Sequence, residues 1–229
     1  MKKSDKQEQR DNTFPDIKTF NVPFALAEIK DNFTVTTNIA SAPSKEEIIN
    51  QAFQFDSEGN VLEAARCYQL FINQGFNDFR VFANYGNILK NLSKLKEAEV
   101  LYRKAIELNP NSADVYSDLG EILKDLYKFE QAEIILRTAI KLNPDNSKNY
   151  KNLGSILIQY GQLKEAQIAT EQAIRINAKS DKAYLNLGVI SNLNGKIKEA
   201  ELYTRKAIEL NPNYAEAYCN LSHFELLKG

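Results

Sequence analysis

Apolar residues recur along this chain with two superimposed periods. Within residues 147–160 they fall three and four apart, at Tyr150, Leu153 and Leu157, which sets them on one side of an α-helix and leaves the intervening positions on the other. The whole arrangement then returns after 34 residues. Tyr116, Leu119, Gly120, Ala132, Ala139 and Ile140 reappear as Tyr150, Leu153, Gly154, Ala166, Ala173 and Ile174, and again as Tyr184, Leu187, Gly188, Ala200, Ala207 and Ile208. Upstream, Phe82, Tyr85, Gly86, Ala98, Ala105 and Ile106 hold the same places. A fixed period of this size is the mark of a solenoid, in which each unit buries its apolar face against the next.

The pattern divides residues 45–229 into repeats at 45–78, 79–112, 113–146, 147–180 and 181–214, with a half repeat at 215–229. Positions below are counted from the first residue of each. Each repeat predicts two helices, A over roughly the first fourteen positions and B over roughly positions seventeen to thirty-one. Folding is predicted to start at Ser44, where Ser44 and Glu47 form a Ser-x-x-Glu capping box. Gly59, Gly161 and Gly195 mark the turn from A to B. Helix B is predicted to stop before Asn109-Pro110, Asn143-Pro144 and Asn211-Pro212, because the residue before a proline is pushed out of the helical region. The fourth repeat carries Ala178 instead of proline, so its helix B should end less sharply. Gly86, Gly120, Gly154 and Gly188 on helix A, with Ala98, Ala132, Ala166 and Ala200 on helix B, predict a close crossing of the two backbones.

The aromatic residue, Leu, Gly, the two Ala and the Pro, as in Tyr116, Leu119, Gly120, Ala132, Ala139 and Pro144, stand where they do in the tetratricopeptide repeat, and the chain resembles that family from Lys45 onward. The resemblance implies an all-α, right-handed superhelical solenoid of antiparallel helix pairs that holds a partner protein or extended peptide in a concave groove. In the family the groove is lined by the side of helix A that turns away from the core, here positions 2, 5, 6, 9 and 13.

Position 6 reads Asn50, Asn84, Asp118, Asn152, Asn186 and Asn220. Asparagine is a mediocre helix former, so propensity does not ask for it. A carboxamide offers a donor and an acceptor to one peptide unit, and a row of them suits an extended chain of any sequence. The row resembles the asparagine ladder in the repeat arm of protein O-GlcNAc transferases. The alternative is a duplicated solvated residue, or a structural bond to the next repeat. Other groove positions differ between repeats: Asp114, Asp118, Glu121 and Asp125 are acidic, Lys148 and Lys151 basic, and Leu185, Val189 and Leu193 apolar where water is expected. Charges on such a face are commonly just solvated. Lys148 and Lys182 are followed four residues on by Asn152 and Asn186 rather than by Arg, which leaves the carboxylate clamp of chaperone-binding relatives incomplete.

Composition narrows the rest. Charged residues make up 26% and nearly cancel, for a net charge of −1, giving no electrostatic footprint for nucleic acid or an anionic membrane. The amino-terminal stretch shows no signal-peptide pattern and no segment has the length to span a bilayer. Cys67 and Cys219 lie about four repeats apart, too far to pair, so a cytoplasmic setting is expected. Residues 1–44 read as a mostly disordered leader, with apolar spots from Phe14 to Ile29 that float, cover the first helix or dock in the groove. His223 is the sole histidine, so a histidine-based metal site or triad lacks partners. No cofactor, metal or catalytic set is expected. The final helix carries Tyr218, Phe224, Leu226 and Leu227, which face either a partner or missing sequence. The reading is a protein-binding module. Its rivals are the substrate-docking arm of a larger transferase and a scaffold that self-associates through residues 215–229.

Overall fold

A computed structural model describes residues 43–226. The leader and its apolar spots, and Leu227, fall outside the described residues. Eleven α-helices are formed among those residues: α1 (Lys45–Ser57), α2 (Val61–Asn73), α3 (Phe79–Asn91), α4 (Leu95–Leu108), α5 (Ala113–Asp125), α6 (Phe129–Leu142), α7 (Ser147–Gln159), α8 (Leu163–Ile176), α9 (Asp181–Leu193), α10 (Ile197–Leu210) and α11 (Ala215–Leu226). Odd-numbered helices are A helices and even-numbered ones B helices, so the 34-residue period sets both element length and order. The capping box forms as its spacing predicts: Ser44 Oγ accepts from the Glu47 amide at 3.3 Å, and Glu47 accepts from the Ser44 amide at 2.7 Å.

Each helix packs on the next in the chain, and successive A helices also pack on one another, α5 on α7 and α7 on α9. No pair of successive B helices makes a comparable contact among the described residues. The stack therefore curves with its A helices on the inner side. Its core is made by the repeated small residues and the apolar columns between them. Ala98, Ala105, Ala132, Ala139, Ala166, Ala173, Ala200 and Ala207 are all fully buried.

The recurrent glycine of helix A faces a neighbour that the pattern did not single out. A Cβ on Gly86 would lie 3.1 Å from the Tyr102 ring, one on Gly120 2.6 Å from Leu136, and one on Gly188 2.6 Å from Thr204 Oγ1. These partners stand at position 24 of helix B, one turn beyond the alanine at position 20. Position 24 varies from tyrosine to threonine while the glycine stays, so the cleared space is filled differently in each repeat.

Two turns also depart from expectation in instructive ways. The left-handed residue closing helix A is glycine in three repeats, with φ of 74° at Gly59, 68° at Gly161 and 75° at Gly195, but Ser93 and Tyr127 adopt φ of 60° and 59° in the other two. Helix α8 ends as sharply as its counterparts, contrary to the expectation from Ala178. Its cap residue Asn177 has φ −134° and ψ 93°, close to the −141° and 95° of Asn143. The common terminator is the asparagine at position 31. Its Oδ1 accepts the amide two residues on, at 3.2 Å for Asn109, 3.1 Å for Asn143, 3.0 Å for Asn177 and 3.2 Å for Asn211. This side-chain turn stops the helix with or without the following proline.

Candidate functional site: the inner face of the A helices

The inner face is continuous from one repeat to the next, and its central part is held by ion pairs. Lys90 of α3 reaches Asp118 at 3.1 Å and Glu121 at 3.4 Å on α5, and Lys148 of α7 reaches the same two carboxylates at 3.0 Å and 3.1 Å. Positions 2, 6, 9 and 12 of three successive A helices thus meet on one surface. Burial pushes the Glu121 carboxyl up, but Lys148 and then Lys90 and Lys151 outweigh it and leave its pKa below the usual value. Burial opposes charge on Lys148, yet Asp118 and Glu121 hold its ammonium above its usual pKa. The acidic set is accordingly divided. Asp118 and Glu121 are neutralised from both sides, whereas Asp114 and Asp125 are exposed, with Lys124 3.1 Å from Asp125.

The six residues of position 6 share a helix face but not a role. Asn50 is exposed. Asn84 Nδ2 donates to the Tyr68 hydroxyl at 3.3 Å, and that hydroxyl donates to Asp56 at 3.0 Å. Asp118 belongs to the ion-pair network. Asn152 is 1% exposed, and its Nδ2 has no partner among the described residues. Asn186 Nδ2 donates to the main-chain carbonyl of Lys151 at 3.2 Å, a bond from one repeat to its neighbour. Asn220 is half-buried on α11.

Two expectations of water exposure are corrected here. Leu185 is 2% exposed and packs with Ala207 and Ala217, while Val189 is half-buried and Leu193 is 55% exposed. Asn152 likewise is enclosed. The reason lies in the stacking. The next A helix covers position 5 at Ile49, Ser117 and Leu185, leaves it half-buried at Ala83 and Lys151, and on α7 covers position 6; the open face is the strip of positions 2, 9, 12 and 13. Phe224 is also buried, at 1% exposure, because position 10 points into the core as do Ile122 and Ile156, whereas Tyr218 and Leu226 are exposed. His223 is exposed. Among the described residues no group of His, Cys, Asp or Glu is arranged to hold a metal ion. No helix there is long and apolar enough to cross a membrane. Cys67 is buried and Cys219 exposed, and both are free.

Sequence reasoning missed Lys151 as a special group. It is half-buried on α7, and its pKa is pushed down to about 8 by burial first, then by Lys182 and Lys124, with Lys148 adding and Glu121 opposing. The signal was present in the column at position 5, which holds no other charged residue.

With this geometry in view, family models of the tetratricopeptide repeat match residues 92–155, 147–180 and 181–214. The chain is a tetratricopeptide-repeat protein. No curated protein matches the sequence. Among solved structures it is similar to YrrB, described as a TPR protein with an unusual peptide-binding site, at 22% identity and a TM-score of 0.66 over 76% of this chain and 90% of that one. It is similar to the MamA protein at 23% identity and a TM-score of 0.65, over 75% of this chain and 94% of that one. A tetratricopeptide repeat protein from Parabacteroides merdae matches at 20% identity and a TM-score of 0.68, over 81% of this chain and 73% of that one. Likeness at this level of identity shows the shared helical-repeat fold.

Proposed function

We propose that the inner face of the A helices binds an extended segment of a partner polypeptide. The observation that carries this reading is the ion-pair network from Lys90 through Asp118 and Glu121 to Lys148. It makes the inner face of three repeats one surface of fixed donors and acceptors. Such a surface suits a chain whose own peptide groups need partners. Within it, Asn50 and Asn220 offer carboxamides at the two ends, and Val189 and Leu193 offer apolar contact. Asn84, Asp118 and Asn186 serve by holding the surface together, and Leu185 supports it from beneath.

Selection of binders from a displayed library of random twelve-residue peptides tests the reading. Peptides should bind the wild type, weaken at least tenfold on Leu193→Asp, and be indifferent to Ile134→Asp on the outer side. Peptides lost on Ile134→Asp and untouched by Leu193→Asp would sink it. Self-association is a second reading, favoured by the exposure of Tyr218 and Leu226 on α11. Sedimentation showing a monomer at all concentrations would refute it.

A further inference from the structure

Position 22 of the B helices reads Arg66, Val100, Ile134, Ile168 and Leu202. All four apolar residues are exposed on the outer side, Ile134, Ile168 and Leu202 at 60%, 67% and 66%. Arg66 holds the place in the first repeat, so the fold does not require hydrocarbon there. Single exposed apolar residues are ordinary on a protein surface, but a column of them at one position of successive repeats is a patch. Beside Ile168 the patch has depth. A groove of about 470 Å³ opens between α6 and α8, lined by Ile140 of α6, Tyr150 and Leu153 of α7, and Ile168 and Ala169 of α8. Its size is that of small binding pockets, roughly 300–1,000 Å³. Arg137, also in its wall, pairs with Glu133 on its own helix and with Glu165 on α8, so its charge is met from both sides.

Lys141 is the charge left open. It lines the groove in the last turn of α6 and is exposed, and Arg175 holds the same position 29 in the last turn of α8. Neither makes an ion pair among the described residues. A cation in the last turn offsets the helix dipole. Yet Glu107 and Glu209 hold position 29 in α4 and α10, paired with Lys104 at 2.8 Å and with Lys206 at 2.7 Å. The dipole therefore does not call for the two cations of the middle helices.

We propose that the groove between α6 and α8 takes an amphipathic helix of a partner protein. A large apolar side chain of that helix packs among Tyr150, Leu153 and Ile168, and an Asp or Glu three or four residues away pairs with Lys141. That spacing puts both side chains on one face of the helix. The occupant is a helix because the walls are helices. Their main-chain groups are bonded within themselves and offer nothing to the peptide groups of an extended segment, whereas a helix satisfies its own. The acid follows from charge complementarity, since the open charges at this end of the groove are both positive. The same charges oppose a second copy, which would bring its own Lys141 and Arg175 onto the surface that carries them. The site lies apart from the inner face, and neither reading depends on the other.

A displayed library of single helices of about twenty residues, randomised along one face, supplies the probe. Binders should carry a large apolar residue with Asp or Glu three or four places from it. They should weaken at least tenfold on Ile168→Asp and be indifferent to Leu193→Asp on the inner face. Changing the acid to its amide should cost the wild type about three- to fivefold in affinity, and should cost Lys141→Gln nothing measurable. Ile168 is exposed, so circular dichroism should show the helices of Ile168→Asp intact, and Lys141→Gln leaves the apolar lining unchanged. A library without binders overturns the proposal. So do binders that need Leu193 and not Ile168, binders with no acid at that spacing, and an amide that costs Lys141→Gln as much as the wild type. Self-association in sedimentation that Ile168→Asp abolishes gives the groove to a second copy and overturns it too.

Discussion

Replacing Asn149 by valine removes a carboxamide from a place built for hydrocarbon. At position 3 of the A helices Val81, Val115, Ala183 and Ala217 are buried, and Asn149 between them is fully buried as well. Neither its Nδ2 nor its Oδ1 has a hydrogen-bond partner among the described residues. Enclosing an unpaired amide costs about 1–3 kcal/mol on the scale of protein substitutions. Asn and Val have nearly equal helix propensity, so the backbone is neutral to the change. Val115 shows that the column accepts a β-branched side chain one repeat away. Asn149→Val should therefore stabilise by about 1–3 kcal/mol and raise the thermal midpoint by roughly 2–4 °C per kcal/mol. Urea denaturation followed by far-ultraviolet circular dichroism measures it, with midpoints compared because repeats can unfold in stages. Val115→Asn is the reciprocal variant and should cost a similar amount. A midpoint that falls on Asn149→Val, or stays level while Val115→Asn is harmless, would refute the account of this column.

Ser93→Gly and Tyr127→Gly should each stabilise by about 1 kcal/mol, since both residues sit at positive φ where glycine carries no Cβ strain; a lower urea midpoint in either would contradict this. Lys151→Met should stabilise most below pH 8. The folded pKa of Lys151, about 8, lies below its unfolded value, so the unfolded chain binds more protons between pH 8 and the usual lysine range. Wild-type stability thus gains on the variant across that window, and a difference that is flat from pH 7 to pH 10 would exclude the linkage. Asn186→Ala should lose the bond to the Lys151 carbonyl, worth about 0.5–1.5 kcal/mol and partly offset by the better propensity of alanine. Asn220→Ala should leave stability level while weakening a bound peptide several-fold; thermal scans paired with calorimetry separate the two, and the reverse pattern would be fatal.

The solenoid was legible because its determinants repeat. One glycine facing a bulky side chain is ambiguous, but Gly86, Gly120, Gly154 and Gly188 at one spacing define a helix crossing. Turn chemistry was half legible. Proline caught the eye at position 32, while the Asn109, Asn143, Asn177 and Asn211 side-chain turns, which do the stopping, lie one residue earlier. The inner face was the least legible part. Helical periodicity assigns a side chain to one side of its own helix, and it is blind to how far the next repeat leans over that side. Leu185 and Asn152 were consequently placed in water, and Lys151 passed as an ordinary surface lysine. The pairing of Asp118 and Glu121 with two different helices was equally invisible, because Lys90 and Lys148 sit 28 and 30 residues from Asp118 in sequence.

Contact between helices is short-ranged along the chain, each touching neighbours one or two places away. Such a molecule melts like a zipper, and an open boundary comes to rest at the weakest tooth. Helix α7 gathers three liabilities within four residues: Asn149, Lys151 and Asn152. The seam of the array therefore falls in its interior, and amide hydrogens of α7 should exchange sooner than those of α5 despite equal depth in the stack. Anything that grips both α7 and α9 acts as a clasp across that seam, so its arrival would register as slower exchange on both flanks, well beyond the residues it touches.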